Sequence, residues 1–157
     1  MEVSPAKKAW ITNPKIGSEA IVTGEFGESL VAFLLSKKGI DVAKAGTVGF
    51  DLFAIDAVGR IFPKGKIVGI SVKTRFGKKH GSFRPTIPIG SAKIVQAQKT
   101  WDIDAWVAVV AGSKDDMPSA FVFPLEDLPK LKGRAKREDV VAISDLAKNP
   151  TGSVTKL

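Results

Sequence analysis

The run A-W-V-A-V-V-A at residues 105–111 constrains the fold of this chain more than any other feature. Uninterrupted apolar residues rich in valine are typical of a strand that is covered on both faces, because a strand with one solvated face alternates apolar and polar side chains. A strand of this kind needs a layer of structure on each side of its sheet. The run therefore predicts the central strand of an α/β domain.

The segments around this run complete a mixed sheet. Periodicity predicts helices over residues 23–38 and 91–101, and strands over residues 40–43, 48–56, 66–74, 119–123 and 140–144. In the first helix the predicted buried stripe is Phe26, Leu30, Phe33 and Leu34, and in the second Ser91 is the predicted N-cap. Hairpins followed by a crossover helix predict a mixed central β-sheet flanked by helices.

A length of 157 residues predicts one domain. Lysines, prolines and a glycine make residues 1–17 a predicted N-terminal arm, and the domain is predicted over residues 18–147. Residues 148–157 are the predicted flexible C-terminal tail.

Composition excludes several classes of site. The chain has no cysteine, which rules out disulfides, thiolate metal sites and a cysteine nucleophile, and it has one histidine, too few for a histidine metal centre. No apolar run approaches the roughly 18 residues of a membrane span, and no secretory signal pattern opens the sequence. We therefore expect a cytoplasmic protein with no membrane partner and no organic cofactor.

Charge points to a polyanionic partner. The 24 lysines and arginines exceed the 16 acidic residues and give a net charge of +8. A basic excess favours nucleic acid first and an anionic membrane surface second.

Polar residues interrupt two of the predicted strands. Asp51 lies among apolar residues, and Lys73 ends a run of β-branched residues two positions after Ser71. Residues two apart share a face of a strand, so Ser71 and Lys73 point the same way, and neighbouring strands would bring Asp51 beside them. Glu28 of the first helix would complete the group, which suits metal-assisted phosphodiester chemistry. The alternative is that Asp51 caps a bend while Lys73 and Glu28 are solvated.

Three motifs of the chain resemble the PD-(D/E)xK nuclease superfamily, and most of all archaeal Holliday-junction resolvases. They are G-E-F-G-E-S-L-V-A-F-L-L-S-K-K-G-I from residue 24, G-F-D-L-F-A from residue 49 and G-I-S-V-K-T-R from residue 69. The resemblance places the helix glutamate of the family at Glu28, the motif aspartate at Asp51 and the motif lysine at Lys73.

The resemblance implies an α/β fold of the restriction-endonuclease-like type, with a mixed central β-sheet flanked by helices. It also implies a homodimeric endonuclease that requires Mg²⁺ (or Mn²⁺) and acts on branched or junction DNA. Glu28 and Asp51 would bind the metal, and Lys73 would handle the water and the charge of the transition state. A restriction-type or RNA-directed nuclease is a third, weaker interpretation.

Ser71 departs from the family pattern, which has Glu, Asp or Gln two residues before the lysine, whereas Phe50 replaces a proline that is not a ligand. A serine hydroxyl is neutral and a weaker ligand than a carboxylate, so the metal affinity should fall. Ser71 could act through a bridging water, or another carboxylate could substitute, namely Glu25, Glu19 or Asp56. Otherwise the protein is a catalytically inactive DNA-binding relative.

A basic loop follows the lysine motif. Its predicted DNA-binding residues are Arg75, Lys78, Lys79, His80 and Arg84, with Phe76 and Phe83 interleaved as candidates for stacking on bases. A second basic run, over residues 130–137, would extend this track. The alternative for both segments is an ordinary solvated loop.

Overall fold

A computed structural model describes residues 14–77, 86–113, 117–131, 139–149 and 152–157, with side chains described from residue 23 onward except at 77 and 113. The helices are α1 (Pro14–Lys37), α2 (Ser91–Trp101), α3 (Leu128–Leu131, after a 3-10 turn at Leu125–Asp127) and α4 (Ile143–Lys148). The strands are β1 (Asp41–Lys44), β2 (Leu52–Ile55), β3 (Ile67–Gly77), β4 (Thr86–Pro88), β5 (Asp104–Ser113), β6 (Ser119–Pro124), β7 (Val140–Ala142) and β8 (Thr155–Lys156).

Six of these strands form one mixed sheet in the order β1-β2-β3-β5-β6-β8. All neighbours are antiparallel except β3 and β5, which run parallel because β4 and the crossover helix α2 lie between them in the chain. Strands β4 and β7 form a separate antiparallel ribbon. The predicted mixed sheet flanked by helices is therefore confirmed.

Strand β5 has both of its faces buried, as the apolar run predicts. Ala105, Val107 and Val109 pack into the core layer that contains Ile94 of α2. Trp106, Ala108 and Val110 pack into the opposite layer with Val31 of α1 and its neighbours. The two long helices thus cover opposite faces of the sheet, and both faces exclude water along β5.

Helix α1 differs from its prediction at its start and in its buried face. It begins at Pro14, so residues 14–17 of the predicted arm are helical, while residues 1–13 lie outside the described part. Proline is well suited to a first helical turn. Gly17 and Gly24 lower the helix propensity of this segment, which is why the sequence pattern does not predict the first turns.

The fully buried stripe of α1 is Gly27, Val31 and Leu35, whereas Leu30 and Leu34 of the predicted stripe are partly buried and pack against the core. Phe26 is 45% exposed and Phe33 is 59% exposed, which corrects their assignment to the core. The helix presents its glycine to the sheet because the small residue allows the closest approach of the two backbones. None of the helices in the described residues is long and apolar enough to cross a membrane.

Two further boundaries differ from the sequence-based expectations. Ser91 is the first residue of α2 and not its N-cap: Gly90 occupies the cap position in a left-handed conformation, and Asp139 accepts hydrogen bonds from the Ser91 N–H at 3.0 and 3.1 Å. Within the predicted tail, Thr155–Lys156 form the edge strand β8 against β6, and Val154 is buried. Contacts between distant segments decide both features.

Candidate active site

An open cleft of about 480 Å³ lies where the middle of β3 faces the first turn of α2. Asp51, Ser71 and Lys73 line it from the sheet, and Gly90, Ala92 and Lys93 line it from the helix side. The sheet register explains this convergence, because Leu52 pairs with Ile70 and both face α1. Their neighbours Asp51 and Ser71 therefore point to the opposite face. The structure thus brings three of the four predicted catalytic residues into one cleft.

Asp51 is held by the backbone of the neighbouring strand. Its N–H donates to the Ile70 carbonyl at 2.9 Å, and its Oδ2 accepts a 2.6 Å hydrogen bond from the Val72 N–H. The Ser71 hydroxyl, 1% exposed, contributes a long 3.5 Å hydrogen bond to the same Oδ2. Within the described residues no donor contacts Oδ1, so one oxygen of this carboxylate has capacity to bind a ligand.

Glu28 is the fourth predicted residue, and its carboxylate is electrostatically coupled to Asp51. Burial raises the pKa of Glu28, and the negative charge of Asp51 raises it further. Lys44 of β1 opposes this effect through an ion pair in which its Nζ lies 3.9 Å from Glu28 Oε2. The ion pair with Lys44 has no signal in the sequence, since it depends on the packing of α1 against β1.

A close contact between α1 and β3 positions Glu28. The neighbouring Gly27 packs directly on the Thr74 side chain, and a methyl group at Gly27 would overlap Thr74 Oγ1. This hydroxyl is buried and has no hydrogen-bond partner among the described residues. Because Thr74 follows Lys73 and Gly27 precedes Glu28, one contact sets the distance between the helix glutamate and the strand that carries Ser71 and Lys73.

A second close contact surrounds Phe50, the residue before Asp51. The Phe50 ring is fully buried against Gly69 of β3, where a Cβ atom would lie 2.5 Å from the ring. The glycine therefore makes room for the phenylalanine. This packing anchors the segment that leads into Asp51 without using a polar group.

Of the three carboxylates considered as substitutes for Ser71, Asp56 is excluded by its contacts. It lies at the opposite end of β2 from Asp51, roughly 16 Å away at the rise of a strand. Its two oxygens accept hydrogen bonds from the backbone N–H groups of a turn, at Val58, Gly59, Ile61 and Phe62. Burial alone would raise the pKa of Asp56, but these donors outweigh it and hold the pKa below its ordinary value.

Of the other two candidate substitutes, only Glu25 has a described side chain. Glu25 is exposed one helical turn before Glu28, and its charge contributes to the raised pKa of Glu28. It is therefore near enough to the site to add negative charge. The side chain of Glu19 lies outside the described part.

The oxygen donors at this site suit a hydrated Mg²⁺ ion. Mg²⁺ usually keeps several waters and is bound by one or two carboxylates together with a substrate phosphate. Asp51 and Glu28 supply two carboxylates whose mutual repulsion a divalent cation relieves, and Ser71 adds a neutral oxygen. Among the described residues no cluster of three or more acidic, histidine or cysteine side chains is arranged to hold a metal. The fit is therefore to a site with two carboxylates.

The predicted DNA-binding residues are only partly described. Arg75 is exposed beyond Lys73 and donates a 2.6 Å hydrogen bond to the Thr86 carbonyl, which ties β3 to β4. Lys78, Lys79, His80 and Arg84 lie outside the described residues, as does the basic run after Leu131. Phe76 is partly exposed and packs on Phe26 of α1 with a centroid distance of 5.8 Å, which gives an aromatic surface on the α1 side of the sheet.

Comparison with known proteins finds similarity at the level of structure. No family model matches the chain, and no curated protein matches it. The fold is similar to that of Hjc, a Holliday junction resolvase from the archaeal hyperthermophile Archaeoglobus fulgidus, known from a 1.6 Å structure. The two share 20% sequence identity with a TM-score of 0.46, over 78% of this chain and 90% of that chain.

Proposed function

We propose that this protein is a metal-dependent nuclease that hydrolyses phosphodiester bonds in DNA, with Asp51, Glu28 and Lys73 as its catalytic residues. One observation carries the proposal: a carboxylate, a lysine and a buried hydroxyl line one cleft of a basic protein, and the carboxylate is electrostatically coupled to a second one, Glu28. If both carboxylates served only to stabilise the fold, we would expect groups of the protein to contact all of their oxygens. Here Asp51 retains an oxygen with no described donor.

The two carboxylates are the groups that would hold the Mg²⁺ or Mn²⁺ ion. When bound, such an ion polarises the scissile phosphate and makes a bound water more acidic. Ser71 lies in the third ligand position and offers a neutral oxygen beside Asp51 Oδ2. We expect a weaker metal site than one with three carboxylates, and therefore activity that needs high Mg²⁺ or Mn²⁺.

Lys73 acts on the phosphate and on the attacking water. Its ammonium group has three donors and no acceptor, so it can contact a non-bridging phosphate oxygen and stabilise the charge that develops there. In the reaction the water oxygen bonds to phosphorus, the bond from phosphorus to one sugar oxygen breaks, and a proton passes to that leaving oxygen. Hydrolysis of this kind needs no co-reactant besides water.

The substrate class follows from charge and from the family resemblance of the three motifs. A net charge of +8 suits a polyanion, and the resemblance makes a four-way DNA junction the first substrate to test. The decisive assay compares cleavage of junction, duplex and single-stranded DNA by the full chain in Mg²⁺ and in Mn²⁺. We expect cleavage of the junction in at least one metal. DNA binding without any cleavage would instead identify a pure binding module.

Exchange of Ser71 sharpens this assay. A glutamate at this position would place a third carboxylate beside Asp51, so Ser71→Glu should allow cleavage at lower Mg²⁺ concentrations than the wild type. Ser71→Gln is the matched control, because it adds the same length without the charge. If Glu25 already acts as the third ligand, Ser71→Glu will crowd the site and lower activity, and Glu25→Ala will abolish it.

We further propose that the protein acts as a homodimer, since two symmetric cuts in a junction need two equivalent sites. An apolar groove of about 450 Å³ next to Trp101 offers an interface, and it includes Phe53, Ile55, Ile67 and Ile103. Trp101 itself is 49% exposed. Sedimentation at micromolar concentration should show a dimer that Trp101→Glu dissociates. A wild-type monomer would contradict the resolvase assignment and leave a simple nuclease.

A further inference from the structure

Lys93 lies on the helix wall of the cleft that Asp51, Ser71 and Lys73 line from the sheet. Its side chain is exposed, in the first turn of α2. The cleft therefore has a cation on each wall, Lys73 on β3 and Lys93 on α2. The proposed catalytic residues include Lys73 but not Lys93.

Contacts with distant segments hold the backbone of Lys93 in place. Gly49 adopts a φ of +97°, and a Cβ atom there would lie 2.6 Å from the Lys93 carbonyl oxygen. The segment leading to Asp51 therefore packs directly on this turn of α2. Asp139 fixes the same turn through its hydrogen bonds to the Ser91 N–H. Lys93 thus starts from a backbone that is rigid relative to Asp51.

The charge of Lys93 is not paired within its own helical turn. The first turn of α2 contains no acidic residue, and the positive end of a helix disfavours a cation. Among the described residues Lys93 has no ion-pair partner. The exposed ammonium group is therefore solvated in the free protein and available to a ligand. An anion that enters the cleft would lie between Lys73 and Lys93, which line it from opposite walls.

We propose that Lys93 binds a backbone phosphate of the DNA strand that occupies the cleft, next to the phosphate that Lys73 contacts. This inference rests on the proposed function, because it identifies the anion as a phosphodiester of the substrate. A DNA strand carries a negative charge at every nucleotide, so a strand running between the two walls presents successive phosphates to the two lysines.

The first test measures the salt dependence of DNA binding in the absence of metal. Lys93→Gln should flatten the slope of log Kobs against log salt by about 0.9 for duplex DNA, the value expected for one lost phosphate contact. Lys93→Arg should preserve the slope. Lys99→Gln is the matched control, since Lys99 is an exposed lysine in the last turn of the same helix and does not line the cleft.

The second test measures cleavage kinetics. A contact to a neighbouring phosphate binds ground state and transition state alike, so Lys93→Gln should raise KM several-fold and leave kcat nearly unchanged. The effect should vanish on DNA in which an uncharged methylphosphonate replaces the phosphate next to the cleavage site. Both neighbouring positions are tested, and one of them should respond.

The outcomes separate this inference from the proposed function. If the wild type cleaves DNA and Lys93→Gln matches Lys99→Gln in salt slope and KM, the phosphate contact is overturned. If the wild type does not cleave but Lys93→Gln flattens the slope, the nuclease assignment fails and the phosphate contact stands.

Discussion

The two aspartates that flank strand β2 differ in burial and in the number of hydrogen bonds that their carboxylates accept. Asp56 is fully buried and accepts four backbone hydrogen bonds at its two oxygens. Asp51 is half-buried and accepts only the Val72 N–H and the long contact from Ser71, both at Oδ2. A second carboxylate, Glu28, lies near Asp51, whereas Asp56 is surrounded by donors.

This difference shows that hydrogen-bond satisfaction distinguishes the two roles better than burial does. Asp56 organises a turn, and its lowered pKa reports a charge that the fold stabilises. At the other end of the strand, the raised pKa of Glu28 reports a charge that burial and a neighbouring carboxylate destabilise. A carboxylate whose charged form is destabilised costs folding free energy, and shifts of this kind cluster at functional sites.

The largest expected effect is on cleavage, at the Asp51 end. Asp51→Asn preserves size and removes the charge that would hold the metal, so cleavage should fall by about 10²–10³-fold, the range for lost electrostatic groups in active sites. Circular dichroism and thermal unfolding should show a folded protein. Cleavage within a few-fold of wild type would remove Asp51 from the catalytic group.

Next in size is a loss of stability at the Asp56 end. Asp56→Ala leaves four backbone N–H groups without their acceptor and should destabilise the protein by about 3 kcal/mol or more. Denaturant unfolding measures this change. A loss of less than about 1 kcal/mol would mean that water replaces the carboxylate, and the structural role would be wrong.

The pH dependence of Asp56 has a defined sign. Its pKa is lowered in the folded protein, so its ionised form stabilises the fold above the ordinary pKa of 3.8. This stabilisation should be lost as the pH falls through the lowered value. In Asp56→Ala that part of the acid dependence should disappear.

A smaller effect is expected where α1 touches β3. Gly27→Ala forces a methyl group against Thr74, and overpacking of this kind costs about 1–3 kcal/mol, against a helix-propensity gain of about 1 kcal/mol. We expect a net loss of stability and a displaced Glu28, with reduced cleavage. Gly24→Ala is the control, because nothing lies within 4 Å of a Cβ at that position.

Removing the Thr74 hydroxyl tests whether its contact with residue 27 causes the losses. Thr74→Ala removes the hydroxyl that the new methyl would overlap, so the double variant Gly27→Ala with Thr74→Ala should regain part of the lost stability and cleavage. Equal losses in the single and double variants would show that the contact does not position Glu28.

The smallest effect concerns the stability cost of Glu28 itself. Because its pKa is raised in the folded protein, ionisation is easier in the unfolded chain, and the free energy of unfolding should decline as the pH rises from about 4.5 through the raised value. Glu28→Gln should abolish this decline and stabilise the metal-free protein at neutral pH. Denaturant unfolding between pH 4 and 8 measures it, with the exposed Glu25→Gln as control. A Glu28→Gln variant less stable than the wild type would contradict the claim that the ionised Glu28 destabilises the fold.

Local sequence patterns were sufficient to predict the central sheet and the residues that meet in the cleft. The apolar run of β5 required two covered faces, and the two-residue period of a strand placed Ser71 and Lys73 together. Asp51 joined them because β2 and β3 are adjacent in the sheet. These features depend on near neighbours in the chain.

The rest depends on contacts between distant segments. The buried face of α1 is set by Gly27 against Thr74, and the start of α2 by Asp139 against Ser91, 48 residues away. The two aspartates of β2 look alike in sequence, and only the turn that folds over Asp56 separates them. Lys44 and Lys93 reach the site through helix packing, for which the sequence carries no periodic signal.

The central claim, that the Asp51 end of β2 is a metal site, is tested most directly by calorimetric titration of Mn²⁺ into the metal-free protein. We predict one bound ion in the wild type and in Asp102→Asn, a surface variant with the same change of charge. Asp51→Asn should bind at least about 10-fold more weakly. Equal binding by wild type and Asp51→Asn, or no binding by the wild type at millimolar Mn²⁺, would contradict the account.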